Sequence, residues 1–321
     1  MLSTVANASP HPYADGMLKY WQRFDENAPA HEVAGIRADT WVIAENPSDR
    51  ELDELVRMDG LKRDLLQDAL DPNEVPRVQD EDGIVYFFLR APSGQGEAMT
   101  TVPLMIAMSP TFVVTISRMP FSWLEQFRTD GHYMTTWRSQ LVWRVLLALN
   151  ARFQAGITDL SRRVRWNIDT SHTIKNEDIF RLITFEATLN DLLAALVPMQ
   201  TMMTNIASGK HIKTYPEDKD LMEDVQLGVT QVVGAAQAQL KTTINMREAY
   251  SVIATNNLNR IIKFLTLATV ALTVPMVVSG LYGMNVRLPL GEHPAAFFFI
   301  LGGTAAFVLA ALAYLWKKRL L

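Results

Sequence analysis

"FLTLATVALTVPMVVSGLY", residues Phe264–Tyr282, carries no charged side chain over 19 positions, and a second uncharged run, Ala295–Trp316, covers 22 more. At about 1.5 Å per residue these make helices of roughly 28 and 33 Å, enough to cross a hydrocarbon core of about 30 Å. Tyr282, Tyr314 and Trp316 stand at their ends, where amphipathic rings gather at a membrane surface. The alternative is a pair of buried helices in a soluble core, but core helices usually keep a polar face. Up to Lys263 the chain has the composition of a soluble protein. The reading is therefore an α+β membrane protein: a soluble N-terminal part followed by two C-terminal transmembrane helices.

Orientation follows from the basic residues. Lys317, Lys318 and Arg319 close the second span, Arg260 and Lys263 precede the first, and the loop between them holds only Arg287. By the positive-inside rule both termini are cytoplasmic and the loop faces outside, placing the protein in a cell (inner) membrane. The first thirty residues are polar and mixed in charge, so no cleaved signal peptide is read. The formal net charge is −4 and no basic block is interleaved with aromatics, which gives no signal for nucleic acid. The chain has no cysteine, which excludes disulfides and thiolate metal sites.

The expected organisation is a cytoplasmic α/β domain over 1–170, a long helical hairpin with a stalk helix over 171–263, and a transmembrane domain over 264–321 with an outer loop at 283–294. "TWVIAENP" reads as a strand, and Ser48 to Glu51 as a capping box opening a helix. "VPRVQ" and "IVYFFLRA" read as two arms of a hairpin around Asp80–Gly83, and "VPLMIAMS" and "TFVVTIS" as two more strands joined at Ser109-Pro110. Helices follow near Phe121–Arg128 and Met134–Arg165. Leu182, Phe185, Leu189, Leu192, Leu196, Met199, Met203 and Ile206 form a helical seam that Pro198 should kink. Gly209 and Pro216 mark a turn. From Glu217 no proline occurs before Pro275, so one helix can run on the order of 100 Å to Tyr282, with Met222, Val225, Val229, Val232, Ala236 and Leu240 as its seam. Two helices broken near Gly228 or Gly234 are the alternative.

The first span is not uniformly apolar. Thr266, Thr269 and Thr273 fall within about 60° on a helical wheel. The stripe extends to Asn259 on one side, to Met276 and Gly280 on the other, and ends at Asn285. It either packs against a neighbouring helix or lines water. Two helices cannot enclose a channel, so a pore needs several copies, with each stripe on a common axis. The second span then lies outside the first. Its Gly302, Ala306 and Ala310 recur at the small-residue spacing that permits close helix contact.

Gly283-Met284-Asn285 by itself reads as a turn, since Gly283 and Asn285 both tolerate left-handed backbone angles. Its place is more telling. Tyr282-Gly283-Met284-Asn285, at the outer end of the first of two C-terminal spans with a lysine-rich terminus after the second, resembles the signature of the CorA family of divalent-cation transporters. The resemblance is specific over the last 60 residues or so, and the order of elements extends it. It implies a homopentamer with a cytoplasmic α/β domain, a funnel of long helices and a central pore lined by the first span. Gly283 and Asn285 would form the outer selectivity ring, with Met284 holding the turn. Asn259, Ile262, Leu265 and Thr273 fall where the family's pore-lining residues fall, Ile262 and Leu265 as the hydrophobic constriction. Asp224 falls where the family binds a regulatory metal ion; as a bare residue it reads equally as a solvated carboxylate.

The chemistry agrees. Mg²⁺ gives up water reluctantly, and neutral amide oxygens can hold it through its hydration shell without trapping it. Mg²⁺ is thus the expected cargo and regulator, entering down the membrane potential. Two departures leave the ion open among Mg²⁺, Co²⁺, Ni²⁺ and Zn²⁺. The outer loop reads "VRLPLGEHP", with Arg287 and only Glu292 acidic, and Pro275 lies ten residues before Asn285. No enzyme signature is found: the six histidines are scattered, and Glu292-His293 reads as a solvated pair. The rival function is a membrane-tethered metal sensor, to which the threonine stripe would be of no use.

Overall fold

A computed structural model describes residues 17–169, 176–208, 215–284, 286, 289 and 293–317. The chain divides into two compact units, Met1–Met246 and Arg247–Leu321.

The first unit is built on a seven-stranded sheet ordered β2-β1-β3-β7-β6-β5-β4. The strands are β1 (Met17–Gln22), β2 (His31–Glu32), β3 (Thr40–Glu45), β4 (Arg77–Glu81), β5 (Ile84–Ser93), β6 (Thr100–Met108) and β7 (Phe112–Ser117). All neighbours are antiparallel except β3 and β7, which pair in parallel with Val42 opposite Val114. Strands β3 and β7 are buried along almost their whole length. Their continuous apolar runs reflect a sheet covered on both faces rather than one.

One face carries α1 (Asp49–Asp59) and α2 (Arg63–Asp68). Leu52, Leu55, Leu65 and Leu66 pack there with Val42, Tyr86, Phe88 and Met105 in one core. The capping box forms as expected: Ser48 Oγ accepts from the Glu51 amide at 3.4 Å, and the Ser48 amide donates to Glu51 Oε2 at 2.7 Å. Gly60, left-handed at φ 74°, ends α1. On the other face, Phe87 meets Trp143 edge-on, and Trp41 meets Phe127 and Tyr133. These partners come from α3 (Ser122–Asp130), α4 (Arg138–Asp169) and the turn between them. The β4–β5 connection is the two-residue turn Asp82-Gly83, both at positive φ, which matches the twist of a hairpin. Strands β1 and β2 and the short helix α2 escape the sequence reading.

Helices α5 (Asn176–Ala207) and α6 (Lys219–Tyr282) follow. The α5 seam is buried as read, from Leu182 to Ile206. The helix continues through Pro198 as one element. α5 is apolar and long enough to cross a membrane, but 44% of its most apolar window is buried in the protein, as suits a core helix. α6 is a single helix of 64 residues, passing Gly228, Gly234 and Pro275 without a break. Gly228 has a packing role: a Cβ there would lie 2.8 Å from Asn150 Nδ2 on α4. That amide donates to the Val225 carbonyl at 3.1 Å, so α4 and α6 are joined where only glycine leaves room. Gly209 lies outside the described residues.

The second unit holds the remainder of α6 and α7 (Ala296–Lys317). The most apolar window of α6 has 0% of its residues buried within the protein. Within this unit Leu267, Ala271, Val274 and Val278 of α6 are half-buried, as are Ile300, Thr304, Val308 and Ala311 of α7. These are the sides the two helices turn toward each other. Gly302, Ala306 and Ala310 are exposed, so the small-residue row of α7 is not the side that meets α6. The facing sides mix Leu267, Val274, Val278, Ile300, Thr304 and Val308 with Ala271 and Ala311.

Candidate ion pathway

The stripe residues Asn259, Ile262, Leu265, Thr266, Thr269, Thr273, Met276 and Gly280 are all exposed. At 3.6 residues per turn their mean direction lies roughly 150° from that of the positions facing α7. The structure thus places the polar stripe on the side of α6 that its own chain leaves uncovered. Ile262 and Leu265, the expected constriction, are each more than half exposed on that side.

The three threonines share one geometry. Thr266 Oγ1 donates to the Ile262 carbonyl at 2.9 Å, Thr269 Oγ1 to Leu265 at 2.9 Å, and Thr273 Oγ1 to Thr269 at 2.7 Å. A hydroxyl has one proton and two lone pairs. With the proton spent on the helix backbone, each oxygen presents only acceptor capacity outward. Helical threonines elsewhere in the chain, Thr184, Thr230 and Thr304 among them, make the same bond, so it is the alignment of three such oxygens on one uncovered side that suits the hydrogens of ion-bound water.

At the C-terminal end of α6 the helix does not turn left-handed at Gly283. The Gly283 amide donates to the Ser279 carbonyl at 2.9 Å and the Met284 amide to Leu281 at 3.2 Å, which prolongs the helical turn. A Cβ at Gly283 would come within 3.3 Å of the Ser279 carbonyl oxygen, a tight approach. Met284 is exposed. Asn285 lies outside the described residues, as do Arg287, Glu292, Lys318 and Arg319. One contact was not foreseen: the Tyr282 hydroxyl donates to the Pro289 carbonyl at 3.0 Å, tying the helix end to the loop. His293 accepts the Ala295 amide on Nδ1 at 3.1 Å and so helps start α7.

Asp224 belongs to the first unit. It is exposed on α6 between the buried Met222 and Val225, and its carboxylate makes no hydrogen bond or ion pair with any described residue. Among the described residues no three His, Asp or Glu side chains cluster closely enough to hold a metal ion.

The family described as "CorA-like Mg2+ transporter protein" matches residues 38–319. The cobalt/magnesium transport protein CorA of Methanocaldococcus jannaschii is 22% identical over 275 residues, which are 81% of this chain and 84% of that protein. The complete structure of that organism's CorA magnesium transporter superposes with a TM-score of 0.78 at 20% identity, covering 95% of this chain and 98% of the other. Full-length CmaX gives 0.73 at 18% identity, covering 95% and 99%. The cytoplasmic domain of ZntB from Vibrio parahaemolyticus gives 0.60 at 11% identity, covering 76% and 100%. At these identities the structural matches speak for the fold.

Proposed function

The chain belongs to the CorA-like Mg²⁺ transporter family, and from that premise we propose that it is a homo-oligomeric, channel-type importer of hydrated divalent cations, Mg²⁺ first among them. Several copies gather round one axis, five if the family resemblance holds in number, with α6 innermost and α7 outside. Both termini lie in the cytoplasm and the α6–α7 loop outside. Gly283, Met284 and Asn285 ring the outer mouth and select a hydrated ion. Asn259, Ile262, Leu265, Thr266, Thr269, Thr273, Met276 and Gly280 line the path below. The observation that carries this reading is the threonine column, three aligned side chains exposed on the side of α6 opposite α7. The membrane potential is an adequate source of drive, at about 2.3 kcal/mol per charge per 100 mV, or roughly 4.6 for a divalent ion. Co²⁺ and Zn²⁺ are the competing cargoes.

Ion-resolved flux into liposomes tests the reading. The wild type is expected to take up Mg²⁺, and both Asn285→Ala and Gly283→Ala to lose most of that uptake while the purified oligomer keeps its mass. A Cβ at Gly283 would lie 3.3 Å from the Ser279 carbonyl oxygen, so the retained oligomer mass is what separates a loss at the mouth from a loss of folding. Uptake unchanged in both variants sinks the selectivity assignment. No flux of any divalent ion by the wild type would leave a tethered metal sensor instead.

A further inference from the structure

A groove of about 330 Å³ runs between the two membrane helices, lined by Ile262, Lys263, Leu267, Val270 and Val274 of α6 and by Phe307 of α7, among others. Its floor is apolar except at one end. There Lys263 borders it, with Thr266 one turn further in. Three features of the groove agree on what would fill it.

The first is length. From Lys263 to Val274 the groove follows α6 for roughly 16 Å, about half the 30 Å hydrocarbon core, so it is as deep as one leaflet. The second is charge. Lys263 makes no ion pair with any described residue. Arg260 stands one turn before it, and α7 ends at Lys317, so the cations collect at the end of the groove that opens to the membrane surface. The third is direction. The groove's mean direction lies roughly 90° round α6 from the threonine stripe, with Ile262 and Thr266 on the border between groove and proposed path. A lysine at the end of a membrane helix reaches toward the headgroup level, where a lipid phosphate meets the Lys263 ammonium while the chain below it fills the apolar floor.

We propose that this groove is a binding site for an anionic phospholipid of the leaflet at the Lys263 end, with one acyl chain between α6 and α7 and the headgroup phosphate on Lys263. The site rests on α6 and α7 crossing the membrane, and not on ion conduction. Occupied, it would brace α7 against α6 and join the anionic surface of that leaflet to the helix that carries the pathway. Basic pockets between membrane helices recognise anionic headgroups in this way.

The test is native mass spectrometry of the purified oligomer, titrated with phosphatidylglycerol or phosphatidylcholine of identical chains. The wild type is expected to retain the anionic lipid about fivefold more tightly, the equivalent of ~1 kcal/mol for one lysine at an anionic surface. Lys263→Gln should abolish that preference and Lys263→Arg keep it. Val270→Trp, which fills the middle of the groove, should reduce retention of both lipids. If Val270→Trp does not assemble, the two lysine variants decide the matter. Equal retention of both lipids by the wild type would overturn the proposal, as would an unchanged preference in Lys263→Gln or full retention in an assembled Val270→Trp. A photocrosslinker at Phe307 is expected to capture lipid in the membrane; capture of a second copy alone would assign the groove to the neighbouring chain and end the proposal. Retention needs no flux, so an inactive oligomer with intact anionic preference would sink the transport reading and leave this one standing.

Discussion

Asn150 and Gly228 show how much one pair of residues decides. The Asn150 amide reaches the Val225 carbonyl only because residue 228 has no side chain. The same asparagine leaves Oδ1 buried without a hydrogen-bond partner, so the contact already carries a cost. Gly228→Ala should push the amide off its carbonyl and strand a second buried polar group. The expected loss is about 1–3 kcal/mol of unfolding free energy, read by denaturant titration of the full chain in detergent. A variant as stable as the wild type would mean that the α4–α6 contact relaxes freely. In the sequence Gly228 looked like a place where the helix could break. A glycine in a helix reads as weakness until the neighbour that needs the space is known.

At the scale of elements, the corner between α3 and α4 is held by Tyr133. Its ring packs on Trp41 and Phe127 at 5.3 Å from each, and its hydroxyl donates to the Arg128 carbonyl at 2.9 Å. Burial pushes the Tyr133 phenol up to about 12, against the positive charge of nearby Arg23, which lowers it. Below pH 10 the phenol is protonated in folded and unfolded chains alike, and its contribution is intact. Between pH 10 and 12 the unfolded chain ionises first and stability is lost. Alkaline unfolding followed by tryptophan fluorescence should begin in that window; burial pushes Tyr20 up to about 12 as well, so Tyr133→Phe should lessen the loss there without removing it.

The membrane part of α6 offers a second test at this scale. The chain has no cysteine, so single substitutions can be probed cleanly. Thr269→Cys and Thr273→Cys should react with a water-soluble thiol reagent in the assembled protein. Val278→Cys, on the side toward α7, should not. Labelling at 278 with protection at 269 and 273 would put the stripe in lipid and remove the pathway.

At the scale of the whole molecule, one helix belongs to both units. Asp224 sits on its first third, exposed and open to an ion or a neighbouring copy. If intracellular Mg²⁺ closes the path there, Asp224→Ala should abolish both the inhibition of flux by internal Mg²⁺ and the protection from protease that the ion confers. Persistence of both effects in the variant would remove Asp224 from regulation. A carboxylate on a helix surface looks the same whether it is solvated or a ligand, so sequence alone left the two readings level.

Local chemistry carried most of the reading. The two uncharged runs, the capping box at Ser48, the Asp82-Gly83 hairpin and the α5 seam are set by properties of a few adjacent residues, so they could be read along the chain. β1, MLKYWQ, is as long as β3 and β7 but lacks their continuous apolar run, and β2 has only two residues. Their place is decided by pairing, Tyr20 against Val42 and Gln22 against His31. The parallel pairing of β3 with β7 joins segments some seventy residues apart, and nothing local to either announces it. The threonine column was legible because helical spacing alone puts those residues on one side. That this side is the one α7 leaves bare, that the small-residue row of α7 turns away, and that a groove ending in Lys263 opens between the spans depend on how two helices meet. Contact between distant segments has no signature in either one, so only the tertiary structure could decide it.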